Sequence, residues 1–264
     1  MTSLPFLQVD AFADAAFTGN PAAVMPLDAW LPDDVLQAIA AENNLAETAF
    51  TVPAEGDADY ELRWFTPTCE VEMCGHATLA SGHALLGEGQ EIIRFRTRKA
   101  GLLSVARDGA RYALSLPVWR PAPKPLDAIV AALVVDPATV VETLWHERRY
   151  GVVVLADEAA VRACVPDMRA LAAPGDWLTV VTAPGETAEV VSRAFAPGGG
   201  IDEDPVTGSA HAVIAPYWAE RLGRTRFKAY QASRRGGFLD VTLDGERVTL
   251  GGSCVTVIEG RFRL

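Results

Sequence analysis

The sequence predicts an α+β protein of two pseudo-symmetric lobes, each a β-sheet rolled around a central helix. Three observations carry this. Arg63-Trp64-Phe65-Thr66-Pro67 reads R-x-F-x-P and returns 130 residues later as Arg193-Ala194-Phe195-Ala196-Pro197. Upstream, Thr48-Ala49-Phe50-Thr51-Val52-Pro53 returns as Thr179-Val180-Val181-Thr182-Ala183-Pro184, a T-x-x-T-x-P pattern at nearly the same offset. An Ala-rich apolar helix follows each R-x-F-x-P. Self-similarity at a fixed offset marks a repeated structural unit, and the halves join near the proline-rich stretch at 117–125.

Both halves spell out the same elements. Residues 45–52 and 177–181 carry the β-branched and apolar residues of strands. Strands at 61–65 and 188–195 follow, each closed by a proline that ends the ladder. After a loop come the helices, 75–86 in the first half and 208–222 in the second, where Pro216 is expected to kink the axis. Residues 33–43 form an amphipathic helix with acidic residues in its first turn and Val35, Leu36 and Ile39 on one face. Alternating segments at 238–243, 247–250 and 254–258, separated by glycine turns, complete the chain as strands. Long strands and few helices per half give the α+β class.

Composition narrows the function. Half of the 264 residues are hydrophobic and 22% are charged, as in a folded globular protein. A net charge of −11 argues against a nucleic-acid partner; Glu147-Arg148-Arg149 and Arg234-Arg235 are the only hints of a basic cluster. The amino terminus lacks the basic and apolar regions of a signal peptide. The most apolar stretch, AIVAALVV at 128–135, is too short to span a bilayer. Four cysteines without a disulfide rhythm fit a reducing, cytoplasmic compartment.

Chemistry is expected where the symmetry of the halves breaks. Glu47 lies in the strand LAETAF, and its counterpart is Leu178. An unpaired buried carboxylate costs several kcal/mol, so Glu in a leucine position implies a task; the alternative is an edge strand with Glu47 in solvent. By the offset of the first motif, Cys74 falls opposite Asp204, and Val71-Glu72 opposite Ile201-Asp202. A pair of thiols at the first of these positions would make a cofactor-free racemase, and this chain keeps one thiol only. His76 and His211 open the two helices, while His83 reads as packing or surface. A zinc site from Cys69, Cys74, His76 and His83 has the wrong spacing, and Asp202-Glu203-Asp204 lacks the remaining ligands of a calcium loop. Thr207-Gly208-Ser209 reads as a helix N-cap. Gly75 and Gly208 leave two helix N-termini open; facing one cleft lined by Glu47, His76, Asp204 and Ser209, they would hold a carboxylate.

These stretches together resemble the phenazine-biosynthesis isomerase family (PhzF-like), whose fold is that of diaminopimelate epimerase. The resemblance runs through DAFADAAFTGNPAAV (10–24), NLAETAF (44–50), FTPTCEVEMCGHATLASGHAL (65–85), GIDEDPVTGSAHAVIAPYWAERLG (200–223) and QASRRGGFLDV (231–241). It implies a first lobe over 1–116 completed by the last strand, about 253–264, and a second over 117–252. It implies Glu47 as the proton-moving group, with His76, Asp204 and Ser209 as its catalytic partners. Substrate carboxylate would be held around Gly75, Thr207 and Gly208. No cofactor and no metal are implied, and a homodimer is expected. Ala46 and Ala212 replace a frequent Ser and Cys, which leaves the substrate open. The expected activity is proton transfer between carbons of a small cyclic or unsaturated carboxylic acid. The alternatives are epimerisation of an amino or hydroxy acid, and carboxylate binding without catalysis.

Overall fold

The structure is a computed structural model that describes residues 2–264. The chain divides into two compact units, Met1–Leu116 with Gly251–Leu264, and Pro117–Leu250.

The first unit contains strands β1 (Ser3–Ala11), β2 (Asn20–Pro26), β3 (Glu47–Pro53), β4 (Tyr60–Phe65), β5 (Glu70–Val71), β6 (Ile92–Thr97), β7 (Leu102–Asp108) and β8 (Arg111–Pro117). The last strand of the chain, β18 (Cys254–Arg263), pairs antiparallel with β1 over the latter's whole length. From β1 the ladder runs antiparallel to β2, parallel to β3, antiparallel to β4, parallel to β6, then antiparallel through β7 to β8. Each parallel step requires a crossover, made by helix α1 (Asp33–Asn43) between β2 and β3 and by α2 (Gly75–Leu85) between β4 and β6.

Helix α2 is the axis of this unit. Every residue from Gly75 to Gly82 is buried, which favours small side chains, and all of GHATLASG but His76 and Leu79 supplies them. At Gly82 a Cβ would stand 2.4 Å from a methyl of Val105 on β7, so only glycine lets helix and sheet meet. Helix α1 covers the outer face, burying Leu36, Ile39 and Ala40 against Met25, Phe50 and Phe65.

The second unit repeats the plan with β9 (Ala122–Pro123), β10 (Val140–His146), β11 (Tyr150–Leu155), β12 (Leu178–Pro184), β13 (Val190–Ala196), β14 (Ile201–Asp204), β15 (Arg226–Gln231), β16 (Gly237–Asp244) and β17 (Arg247–Gly252). Its pairings are parallel for β11–β12 and β13–β15, and antiparallel for β12–β13 and β15–β16. The crossovers are α4 (Glu158–Ala163) with α5 (Met168–Ala172), and α6 (Gly208–Leu222). The apolar stretch at 128–135 becomes helix α3 (Asp127–Leu133), which packs on the outer core of this unit. Pro216 sits inside the buried α6 and cannot donate to the Ala212 carbonyl; the backbone N–H of Trp119 does so instead at 3.1 Å. No described helix is long and apolar enough to cross a membrane.

The repeated motif has a physical reason. Residues i and i+2 of a strand share a face, so the Arg63 guanidinium lies 4.9 Å from the Phe65 ring and that of Arg193 lies 5.0 Å from Phe195. Each arginine then forks onto a glutamate. Arg63 donates from Nε and Nη2 to Glu70 at 2.7 Å each, and Arg193 donates to Glu203 at 2.7 and 3.0 Å.

These pairs correct the alignment of the halves. The arginines are 130 residues apart, but their glutamates are 133 apart. The second unit carries three more residues in the connection, where Pro197, Gly198 and Gly199 form a short 3₁₀ turn. Val71, not Cys74, therefore stands opposite Asp204: Val71 pairs with Trp64 on β4, and Asp204 with Ala194 on β13. Cys74 corresponds to Thr207, each being the N-cap of its buried helix.

Candidate active site

In the first unit β3 is an interior strand, bonded to β2 and β4. Glu47 is its first residue, pairs with Ala22 and is 8% exposed, so the edge-strand alternative is excluded. His76, the second residue of α2, is 3% exposed. Its Nε2 lies 3.1 Å from Glu47 Oε2, an ion-pair distance without hydrogen-bond alignment. The other ring nitrogen lies 3.4 Å from Cys74 Sγ and 3.1 Å from Asn20 Nδ2.

The charges follow from this packing. Burial disfavours the imidazolium, but the charges of Cys74 and Glu47 outweigh burial and hold the His76 pKa well above its usual value. Burial first, and the Glu47 charge second, push the Cys74 thiol up to about 11. Cys74 is therefore a neutral thiol near pH 7, and the operative partner of His76 is Glu47.

Asn20 is a site residue that reasoning from the repeat missed. It follows the loop at 12–19 that closes the β1–β2 hairpin, in which Phe17 donates its N–H to Asp10 Oδ2 at 2.8 Å and Thr18 donates its hydroxyl to the Ala15 carbonyl at 2.7 Å. Phe12, Phe17 and Gly19 have positive φ there. The string GNP, where a turn residue precedes a strand-opening polar residue, was the available signal.

Two residues of the zinc reading, Cys69 and His83, are not joined to the others. Cys69 is exposed, and His83 contacts the Tyr112 hydroxyl at 3.1 Å and Thr256 Oγ1 at 2.8 Å. Among the described residues the group that could approach a metal ion is Glu47, Cys74 and His76, with candidate atoms within 4.8 Å of one another. The fit is poor, because the two nitrogens of the His76 ring face different neighbours, Glu47 on one side and Cys74 on the other. One ring cannot direct both lone pairs at one ion.

In the second unit Asp204 and Ser209 are 8% and 9% exposed. Thr207 is the N-cap of α6, yet its side chain does not cap the helix: its hydroxyl donates to Asp204 Oδ2 in a short hydrogen bond. Its N–H donates to Gln231 Oε1 at 2.8 Å, and Gln231 Nε2 donates to Thr207 Oγ1 at 3.0 Å and to the Asp204 carbonyl at 2.7 Å. Thr207 thus spends both donors inside the protein and orients Asp204. Gln231, fully buried at the end of β15, is a second residue the sequence did not single out. Glu203 is committed to Arg193, so the acidic run 202–204 does not act as a cation loop. Neither buried helix has a side chain capping its N-terminus, and Gly75 and Gly208 open both helices without a side chain of their own.

His211 is 1% exposed, donates from Nδ1 to the Thr207 carbonyl at 2.8 Å, and has no hydrogen-bond partner at Nε2. Burial pushes its pKa down to about 4, partly opposed by the bond to Thr207. The unfolded chain, with an ordinary histidine near 6.5, binds the proton first. Stability is therefore lost as pH falls from about 6.5 to about 4, by roughly 3 kcal/mol for a shift of this size. In the first unit the same carbonyl, that of Cys74, accepts from Thr78 Oγ1 at 2.5 Å. His211→Thr should flatten the acid limb of urea-unfolding stability between pH 7 and 5; equal pH slopes for wild type and variant would remove His211 as its cause.

Comparison with known proteins finds relatives over nearly the whole chain. The family model described as phenazine biosynthesis-like protein (PhzC-PhzF) matches residues 9–260. An uncharacterized isomerase of Pseudomonas aeruginosa is 47% identical over 265 residues, covering 99% of both chains. A human phenazine biosynthesis-like domain-containing protein is 35% identical over 284 residues, covering 97% of this chain and 98% of its own. Among solved structures, a PhzF-family protein of Enterococcus faecalis is similar with a TM-score of 0.90 at 43% identity, across the whole of both chains. A hydroxyproline epimerase from Agrobacterium vitis shares the fold, with a TM-score of 0.63 at 13% identity over 98% of this chain and 92% of its own.

Proposed function

The chain belongs to the phenazine biosynthesis-like (PhzC-PhzF) family, and from that premise we propose that it moves a proton between carbons of a small cyclic or unsaturated carboxylic acid, by general acid/base catalysis without metal or organic cofactor. One observation carries the reading. A carboxylate, Glu47, is buried on an interior strand beside a buried histidine 3.1 Å away, where the equivalent strand of the other unit starts with leucine.

In this reading Glu47 removes a proton from one carbon of the substrate and returns it to another. The carbon electrons shift along the unsaturated system between the two events, so no oxidant or reductant is needed. His76, 3.1 Å from the carboxylate, orients it. In the second unit Asp204, aligned by Thr207 and Gln231, and Ser209 are the groups able to bind or relay, and Gly75 and Gly208 leave backbone N–H groups open at the start of each unit's buried helix, where an anion can be held. General acid/base transfer supplies about 10²–10⁴-fold of rate, so positioning must supply the rest.

The test is solvent exchange. The protein, dialysed against a chelator, is incubated in D₂O with a panel of ring and unsaturated carboxylic acids, and deuterium in the recovered acids is read by mass spectrometry and NMR. Uptake with migration of the double bond supports the reading. Uptake at a single carbon with inverted chirality makes the protein an epimerase instead. Activity that is lost on chelation and restored by zinc would make it a metalloenzyme.

A further inference from the structure

Asn20 is fully buried and opens β2, where it pairs with Ala11 across β1. Counted back from the matched pairs Ala22–Glu47 and Tyr150–Leu178, its counterpart in the second unit is Arg148, an exposed turn residue. The shared scaffold therefore does not call for a buried amide at this point. The loop before it is pinned, Ala13 donating its N–H to the Ser253 carbonyl at 3.0 Å and Phe17 its own to Asp10. Asn20 Nδ2 lies 3.1 Å from Nδ1 of His76. Cys74 Sγ lies 3.4 Å from the same ring nitrogen, and Nε2 faces Glu47 at 3.1 Å.

These neighbours fix where the ring carries its proton. An amide nitrogen only donates, and a thiol is a weak donor. With its pKa pushed up to about 11, Cys74 keeps its proton near pH 7. Nδ1 thus faces two donors and supplies the lone pair. A proton on Nδ1 would meet the Asn20 N–H group and turn a bare lone pair at Nε2 towards the Glu47 carboxylate. An imidazolium would need an acceptor at Nδ1, where Asn20 presents a donor. Burial, the largest influence on this ring, also opposes the cation. The charge of Cys74, first among those that favour it, is absent while the thiol is neutral.

We propose that Asn20 is a positioning residue that holds His76 in its Nε2–H tautomer, with the ring's one proton on the Glu47 side. The proposal rests on the reading of Glu47 as the base and deepens it. The hydrogen bond at one ring nitrogen of a histidine sets the state of the other. A cationic ring 3.1 Å away could hand its proton to Glu47 and quench it. A bare Nε2 could compete for the proton taken from the substrate. The Nε2–H tautomer does neither, so a proton removed from one carbon stays on Glu47 until it is returned to another.

Nitrogen NMR tests this without substrate. In ¹⁵N-labelled full-length protein at pH 7, Asn20 Nδ2 and His76 Nδ1 should show a scalar coupling through their hydrogen bond, which only a lone pair on Nδ1 permits. His76 should show one protonated ring nitrogen, Nε2, and one bare one. Asn20→Asp offers Nδ1 an acceptor in place of the donor. It should protonate both ring nitrogens and slow deuterium exchange by about fivefold or more, the scale of one hydrogen bond. Two protonated nitrogens in the wild type, no coupling between the two residues, or an unchanged His76 spectrum in Asn20→Asp would overturn the proposal. The wild-type spectrum decides even if Asn20→Asp fails to fold. None of these spectra depends on Glu47 being the base, which the exchange rate of Glu47→Gln decides separately.

Discussion

Glu47→Gln is expected to abolish deuterium exchange into any acid the wild-type protein labels, lowering the rate by at least about 10²-fold. The amide keeps the size of the carboxylate and removes its basicity. His76 loses its charged partner in the same step. The fold should survive, because the second unit builds the equivalent strand with Leu178 at this place, and a histidine left without its carboxylate can stay neutral instead of being buried as a lone cation. Melting temperature, measured beside the exchange rate, separates lost chemistry from lost structure. Cys74→Ser is the control: it alters a neutral thiol and should cost far less. A Glu47→Gln protein that labels its substrate at the wild-type rate would end the assignment of Glu47 as base.

Gly19→Ala is expected to cost about 2–4 kcal/mol of stability and most of the activity. At φ +64° an added Cβ would stand 2.2 Å from the Ala11 carbonyl oxygen and 2.8 Å from the Ala13 Cβ. Backbone occupies the first of these positions and cannot swing aside as a side chain could. The next residue is Asn20, whose amide lies against His76. Opening the hairpin should therefore move Asn20 and loosen the ring that faces Glu47. Urea unfolding and the exchange assay measure both effects; a variant with wild-type stability and activity would show that the hairpin tolerates the bulge and does not set His76.

Much of the fold was legible because it is written twice. The R-x-F-x-P strings mark strands whose arginines stack on a phenylalanine two residues on and fork onto a glutamate. That pattern needs particular side chains at fixed spacing, and a single sequence shows it. Helix α1 was readable to its ends from its acidic first turn and apolar face. What the repeat could not give was the alignment beyond Pro197. A three-residue insertion rich in glycine leaves no periodic trace, so Cys74 was set against Asp204 when both N-caps, Cys74 and Thr207, are the true pair. Thr207 is the N-cap as read, but its side chain does not cap the helix. Threonine caps helices well on average, but here a carboxylate three residues earlier takes the hydroxyl. Asn20 and Gln231 escaped notice because each acts across long stretches of chain, 56 residues to His76 and 24 to Thr207. An amide at a strand end has no local signature.

The return of β18 to β1 fixes an order of completion during synthesis. Ser3 pairs with Arg263, and the N–H of Leu264 reaches the Thr2 carbonyl at 2.9 Å. The second unit is one unbroken segment, Pro117–Leu250, and has all its strands once that segment has left the ribosome. The first unit does not. One edge of β1 waits for a partner that begins only at Cys254, on the order of tens of seconds later at ordinary translation rates. Throughout that interval β1 is an open strand edge, the kind of surface on which nascent chains pair wrongly. A message that stops before Cys254 yields a finished second unit joined to a first unit that can never close.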